Sequence, residues 1–317
     1  MRGNSMEQIE KYKEMKIVHS AKGELKEMYS VTGDILSYRR CPRSYSIIAE
    51  RGFIPAQPSQ RYVGSVIHQV LDRTHRLYSG RLDSNKKGQI PSDEDIKGFF
   101  DKVDEAMRAH GIRPFNKDLA TFVLKIRQRF NKIEGPLLYP RVKDTEHRLQ
   151  SDRDGYILHG VVDVLVAPTN SEKDDNFVEI WDYKGSRRPK GSNAYEKKIL
   201  EDYEYQMLVY SSLFKLRNGY YPTKGVIYFL GELNVENLNT SPSTARLEVS
   251  LDEARMKEAM KSFDDTVEDI KNARRTQAWD PPANGSKTAG KETCDACDIR
   301  ASCPSEKQNY HHRYPGT

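Results

Sequence analysis

No run of about twenty apolar residues occurs anywhere in the 317 residues, so nothing in the chain reads as a membrane-spanning helix. Met1 to Lys16 is polar and lacks the apolar stretch of a secretory leader, which leads us to expect a cytoplasmic protein with no membrane partner. A dominant charge is missing as well. The 51 Lys and Arg against 46 Asp and Glu leave +5, a mild excess that permits a nucleic-acid partner without demanding one. Cysteine is scarce and unevenly spread: of four in the chain, Cys41 stands alone near the start while Cys294, Cys297 and Cys303 crowd near the end. In a reducing compartment so few thiols do not make a disulfide framework. The C-x-x-C spacing suits a metal centre on which thiolates converge, with Cys41 as the fourth ligand. There is no internal repeat.

An apolar content of 37% supports a substantial core. Residues 1–29 are charged, with weak helical periodicity at Ile9, Tyr12 and Met15, and carry no assigned chemistry. Thr32 or Asp34 can cap a short helix through Ile35 to Cys41, which Pro42 interrupts before a helical continuation from Ser44. The spacing of Val63, Val66, Ile67, Val70, Leu71, Thr74 and Leu77 predicts a helix over Tyr62 to Tyr78. His68 and His75 flank its apolar stripe, and either taken alone reads most simply as a half-buried histidine. Helical patterns follow over Asp93 to His110, begun by Ser92, and over Lys117 to Ile133. The basic side of the latter (Lys125, Arg127, Arg129, Lys132) faces water or a nucleic-acid backbone.

Strands are predicted over Glu146 to Gln150, Tyr156 to Ala167 and Phe177 to Tyr183. A basic loop, Gly185 to Gly191, leads to a long helix that starts at Asn193 or Tyr195 and ends at Asn218-Gly219. A buried strand, Gly225 to Leu230, and an alternating edge strand, Ala245 to Ser250, come next. A capping box at Ser250-Leu-Asp-Glu253 opens a helix to about Arg275. The order strand, strand, strand, helix, strand makes an α/β core.

Two of these strands carry a carboxylate where a core strand would have Val: Asp163 in Gly160-Val-Val-Asp163 and Asp182 in Asp182-Tyr-Lys184, separated by a turn-rich break from Pro168 to Asn176. Asp182 and Lys184 share strand parity, and a paired strand brings Asp163 alongside. Two acids and an amine on one sheet face suit a divalent cation beside a proton-transfer group, a site for metal-assisted phosphodiester hydrolysis. The acids need a further ligand, which singles out His68. His159 has the parity of Asp163 and ranks below it. Glu146 is a candidate outer acid or an ordinary strand residue, and Glu179 falls on the opposite face from Asp182.

Gly160-x-x-Asp163, Asp182-x-Lys184 and Gln206-x-x-x-Tyr210, in this order after a helical His68, resemble the RecB-like branch of the PD-(D/E)XK nuclease superfamily. Cys41-Pro42 with Cys294-x-x-Cys297-x5-Cys303-Pro304 resembles its iron–sulfur subgroup, which includes the CRISPR-associated exonuclease Cas-four, exonuclease V and the AddB nuclease subunit. Val162 replaces the proline of the family name, as is usual in this branch, and Gly185 stands where Thr often follows the lysine. The resemblance implies a restriction-endonuclease-like mixed sheet flanked by helices, with a helical insertion and a four-cysteine cluster joining the N- and C-terminal segments. It implies a metal held by His68, Asp163, Asp182 and the Tyr183 carbonyl. That metal is Mn²⁺ or Mg²⁺, with imidazole tilting preference toward Mn²⁺. Lys184 orients water or stabilises charge, and Gln206 and Tyr210 position the phosphate and steady the lysine. Four thiolates fit Zn²⁺ or a [4Fe–4S] cluster, and the resemblance favours the cluster.

The expected segments are a polar extension (1–30), N-terminal helices with Cys41 and His68 (31–78), a helical insertion (79–140), a nuclease core (141–275) and an iron–sulfur segment (276–317). The expected function is a metal-dependent exonuclease on single-stranded DNA ends, with Arg187, Arg188 and Lys190 tracking the backbone. The alternative is a DNA-binding or scaffold subunit of a CRISPR adaptation or helicase–nuclease complex, with secondary or endonucleolytic cleavage.

Overall fold

The computed structural model describes residues 26–53, 59–169, 177–280, 290–300 and 303. The periodic positions Ile9, Tyr12 and Met15, the turn residues Asn170 to Asn176, and Pro304 lie outside the described residues. In chain order the elements are β1 (Glu27–Ser30), α1 (Leu36–Arg40), α2 (Pro42–Tyr45), α3 (Ser59–Tyr78), α4 (Asp93–Ala109), α5 (Lys117–Ile133), α6 (Gly135–Leu138), β2 (Val142–Arg153), β3 (Tyr156–Val166), β4 (Glu179–Lys184), α7 (Ala194–Asn218), β5 (Lys224–Phe229), β6 (Arg246–Val249), α8 (Glu253–Thr276) and α9 (Lys291–Asp295). Among the described residues no helix is long and apolar enough to cross a membrane.

One six-stranded mixed sheet separates two layers of helix. On one face α3, α4 and α5 bury Val66, Ile67, Val70, Ile96, Phe100, Ile126 and Phe130 against Val164, Trp181, Tyr183, Val226 and Tyr228 of the strands. On the other, α7 and α8 cover Leu158, Val162, Ile180, Ile227 and Phe229 with Leu213, Phe214, Phe263 and Val267. Each strand alternation feeds both layers, so the sheet cannot slip by one residue without sending its apolar set to the wrong side.

β3 is the axis of the sheet. It pairs with β2 along its whole length, joined by the tight turn Asp154-Gly155 with Gly155 at φ 72°. Its other edge is shared: β1 runs parallel to residues 156–159, and β4 runs antiparallel to residues 164–166. No strand pairs with that edge over 160–163 among the described residues. The Gly160-x-x-Asp163 sequence therefore lies in a gap.

Several local expectations are corrected. The polar N-terminal stretch contributes β1, whose Tyr29 is buried against Tyr156. The first cap is Ser30: its hydroxyl accepts from Gly33 N at 3.1 Å, while Asp34 accepts in return from Ser30 N at 2.7 Å. A π-helical turn over Val31–Ile35 then leads into α1. α8 is capped by Asp252, which accepts from Arg255 N, not by Ser250, because edge-strand pairing runs to Val249 and leaves the helix to start later. Ser92 and Asp95 do form a reciprocal capping box on α4, and Gly219 at φ 85° ends α7. Arg127 is not on a wetted basic face. It is fully buried, donates to Thr74 Oγ1 at 3.3 Å and lies over the Phe130 ring, since it is three residues from Phe130 on the packed side of α5.

His75 is the bland member of the histidine pair on α3. It is buried edge-on to Tyr139, with ring centroids 4.9 Å apart. Burial, and then the nearby Arg127 guanidinium, press its pKa down to about 3. The unfolded chain protonates this residue below about pH 6.5, so between those values the unfolded state binds more protons. Stability is present above pH 6.5 and is lost as pH falls toward the folded value, by about 1.4 kcal/mol per pH unit. Urea unfolding at pH 7 and pH 5 should show His75→Leu losing about 2 kcal/mol less than wild type over that interval; equal losses would remove this residue from the acid response.

Candidate active site

The gap in β3 is where the site forms. Val162 packs toward α7, whereas Val164, two residues on, packs toward α3 and α5, so the alternation of the strand breaks at Asp163. On the neighbouring strand the break is matched by Glu146, which sits between the Thr145–Val164 and His147–Val162 pairs, opposite Asp163, with φ +49°. A left-handed residue inside a strand is a bulge-like irregularity, a device that re-aims side chains. Asp163 is thereby turned to serve two elements at once. Its Oδ2 accepts from the backbone N–H of Tyr183 at 2.6 Å, standing in for the β3–β4 ladder bond that the gap removes. Its Oδ1 lies 3.1 Å from His68 Nδ1 on α3.

His68, Glu146 and Asp163 each offer one ligand atom, and those atoms all lie within 4.8 Å of one another. One imidazole nitrogen and two carboxylate oxygens make a hard, mixed set of the kind Mn²⁺ or Mg²⁺ accepts. Burial alone would lower the pKa of His68; Asp163, with Asp182 and Glu146 behind it, outweighs that and holds it at about 9. Burial and then the Asp163 charge push Glu146 up. These opposed demands mark a site in which too many acids share too few cations, and a divalent ion would relieve them.

Asp182 and Lys184 face α7. The Lys184 ammonium lies 2.7 Å from Asp182 Oδ2 and donates to Gln206 Oε1 at 3.1 Å, while Gln206 Nε2 donates to Asp182 Oδ1 at 2.9 Å. The result is a closed three-membered knot, roofed by the Tyr203 ring 4.6 Å from the ammonium. Asp182 Oδ2 is buried, and the partner it meets is the Lys184 ammonium. Burial raises the Asp182 pKa against the pull of Lys184; burial would lower that of Lys184, and Asp182 outweighs it. The lysine is therefore held as an ammonium.

Glycines make the packing possible. A Cβ on Gly160 would stand 2.7 Å from Tyr210 Cε1, so the tyrosine ring lies on the bare edge of the gap. A Cβ on Gly185 would meet Ile67 Cδ1 and Val63 Cγ1 at 2.9 Å, which accounts for glycine after the lysine. Gly231 approaches the backbone at Ser186 and Arg187 closely enough that a Cβ would fall 2.5 Å from a carbonyl carbon.

Of the expected metal ligands, the structure brings His68 and Asp163 together, turns Asp182 toward Lys184 and Gln206, and shows Tyr183 bonded to Asp163 through its N–H. Glu146 completes the three-residue group. Its place was readable from the Asp154-Gly155 turn, because counting outward from that hairpin pairs residue 146 with residue 163. His159 instead faces Ser30 and Gln150 in the ladders. Glu179 is buried elsewhere, bonded to Trp181 Nε1 and Arg141. Arg187 and Lys190 are exposed, while Arg188 is tied by its N–H to Glu232.

Cys41, from near the start of the chain, and Cys294, Cys297 and Cys303, from near its end, line one cavity of about 280 Å³. Cys41 sits at the break between α1 and α2, extended at φ −163°, with its sulfur accepting from Ser44 N at 3.5 Å. Burial pushes its thiol up. None of the four is in a disulfide. Among the described residues no three of these sulfurs lie within 4.8 Å of one another.

Removing one partner of the knot strands the other. Lys184→Met should cost about 3 kcal/mol or more without added metal, and Asp182→Asn in the same chain should restore most of it; denaturant unfolding of the two singles and the double variant checks this, and additive losses would mean that the pair is not coupled.

The family model of the PD-(D/E)XK nuclease superfamily matches residues 33–304 of this chain. A crystal structure from Eubacterium rectale, of a protein provisionally named an exonuclease, covers 92% of this chain and 91% of its own at 13% identity and a TM-score of 0.49. No curated protein matches the sequence.

Proposed function

The chain belongs to the PD-(D/E)XK nuclease superfamily and has its restriction-endonuclease-like α/β fold, and from that premise we propose that it is a metal-dependent deoxyribonuclease acting on single-stranded ends. The observation that carries the proposal is the adjacency of two units: the His68–Glu146–Asp163 group and the Asp182–Lys184–Gln206 knot, joined through the Tyr183 N–H. A divalent cation held by His68, Glu146 and Asp163, with Asp182 and the Tyr183 carbonyl as further donors, would supply Lewis acidity at a phosphate oxygen and lower the pKa of an attacking water.

The chain's own groups supply the rest. Lys184 donates from a fixed direction, because Asp182 and Gln206 leave its ammonium one position, and it can meet either the attacking water or charge developing on the phosphate. Asp182 keeps it charged. Gln206 locks both, and the buried Tyr210 on Gly160 holds the α7 flank against β3. His68 must shed a proton before it can ligate, so cation binding and deprotonation are linked. Exposed Arg187 and Lys190 on the loop after Lys184 suit a phosphate backbone leaving the site.

The four cysteines are assigned to a [4Fe–4S] cluster of structural duty, which would join α1 and α2 to the C-terminal segment. A role confined to holding DNA within a CRISPR adaptation or helicase complex would leave the knot without work.

Digestion of end-labelled single-stranded DNA with Mn²⁺ or Mg²⁺ tests the reading. Wild type should cut, and Lys184→Ala should be slower by about a hundredfold or more. Glu146→Gln should need about tenfold more Mn²⁺ for half-maximal rate. Binding without cleavage by wild type would instead establish the scaffold role. Anaerobically purified protein should be brown with four iron atoms per chain, and Cys41→Ser should bleach it; one zinc and no colour would refute the cluster.

A further inference from the structure

Apart from His68, the polar stripe of α3 is not used by the chemistry above. Arg61, Ser65, His68, Asp72 and Arg76 fall on one line of the helix, opposite its buried apolar face, and with Arg73 on the flank they wall a cleft of about 790 Å³ whose far side is Glu146. His68 and Glu146 also belong to the proposed metal group, so the cleft opens directly onto it. Three arginines and two acids, Asp72 and Glu146, line this cleft, and Asp72 is engaged by Arg76 at 2.8 Å and by Thr145 Oγ1 at 2.7 Å.

We propose that this stripe is a track for one nucleic-acid strand, with the reacting phosphate at His68 and the neighbouring phosphates on either side held by Arg61 and by Arg73 and Arg76. The inference rests on the nuclease reading and adds the path of the substrate to it. Along the helix Arg61 lies about 10 Å before His68 and Arg76 about 12 Å after it, at about 1.5 Å rise per residue. Neither arginine can reach the phosphate at the metal without abandoning its own turn, and each is placed for a different phosphate of the same strand. Arginine suits the task because its planar donors grip phosphate oxygens in pairs. Arg73 is pre-set for it: one nitrogen donates back to Gln69 O at 2.9 Å, which fixes the side chain while leaving its other donors for the cleft. Phosphate contacts of this kind position a strand without reading its sequence.

The test is equilibrium binding of a fluorescently labelled single-stranded DNA oligonucleotide in Ca²⁺ across a series of salt concentrations, for wild type, Arg61→Gln, Arg73→Gln and the double variant. Lys102→Gln, an exposed substitution on α4, serves as a control. Each arginine removed should flatten the slope of log affinity against log salt by about 0.7, and the double variant by about twice that, while Lys102→Gln leaves it unchanged. Mn²⁺ binding by the same variants, followed by paramagnetic resonance, should stay within twofold of wild type, which separates loss of the track from loss of fold. Unaltered slopes in both arginine variants, with wild type binding and cutting normally, would overturn the track and leave the nuclease reading standing. A wild type that neither binds nor cuts the oligonucleotide would overturn both.

Discussion

A single hydrogen bond organises this protein: the carboxylate of Asp163 accepting from the backbone N–H of Tyr183. The ladder between β3 and β4 stops at Val164 and Trp181, and an unpaired N–H just beyond it would be a costly orphan in so buried a place. A side chain closes the seam instead of a carbonyl. The same act orients the carboxylate, leaves its other oxygen facing His68, and fixes the backbone between Asp182 and Lys184. Sheet construction and site construction are one event.

The charges around that bond are arranged so that each is tolerable only in company. Asp182 is buried with an amine and an amide at hand; Lys184 keeps its proton because Asp182 is there; His68 is held protonated by three acids. Such a cluster is expensive to bury, and the surrounding apolar layers, Val66, Ile67 and Val70 on one side and Leu213 and Phe214 on the other, supply the burial that offsets it. A buried network of this kind specifies geometry more than it contributes stability, which is what a hydrolytic site requires.

Much of the site was legible in the sequence because it is written in strands, whose two-residue period places Asp182 and Lys184 together without any knowledge of the fold. The long helices were legible for the same reason, with capping residues such as Ser92 and Gly219 where the chain ends them. What escaped depended on departures from period. Glu146 reads as an outer acid or an ordinary strand residue until its left-handed backbone beside Asp163 is seen, and β1, Glu27-Met-Tyr-Ser30, lies in a charged stretch and becomes a strand by pairing with the edge of β3. Arg127 reads as solvated from its basic neighbours, yet it turns inward with Phe130. In each case tertiary context overrode a local rule.

The segment that leaves β4 is squeezed from two sides, by Val63 and Ile67 of α3 at Gly185 and by Gly231 pressed on the main chain of Ser186 and Arg187. Harm to this protein therefore need not strike an acid or a base: one added methyl group at position 231 would press on the main chain just beyond Lys184, and one at 185 would crowd the side-chain ends of Val63 and Ile67 beside it.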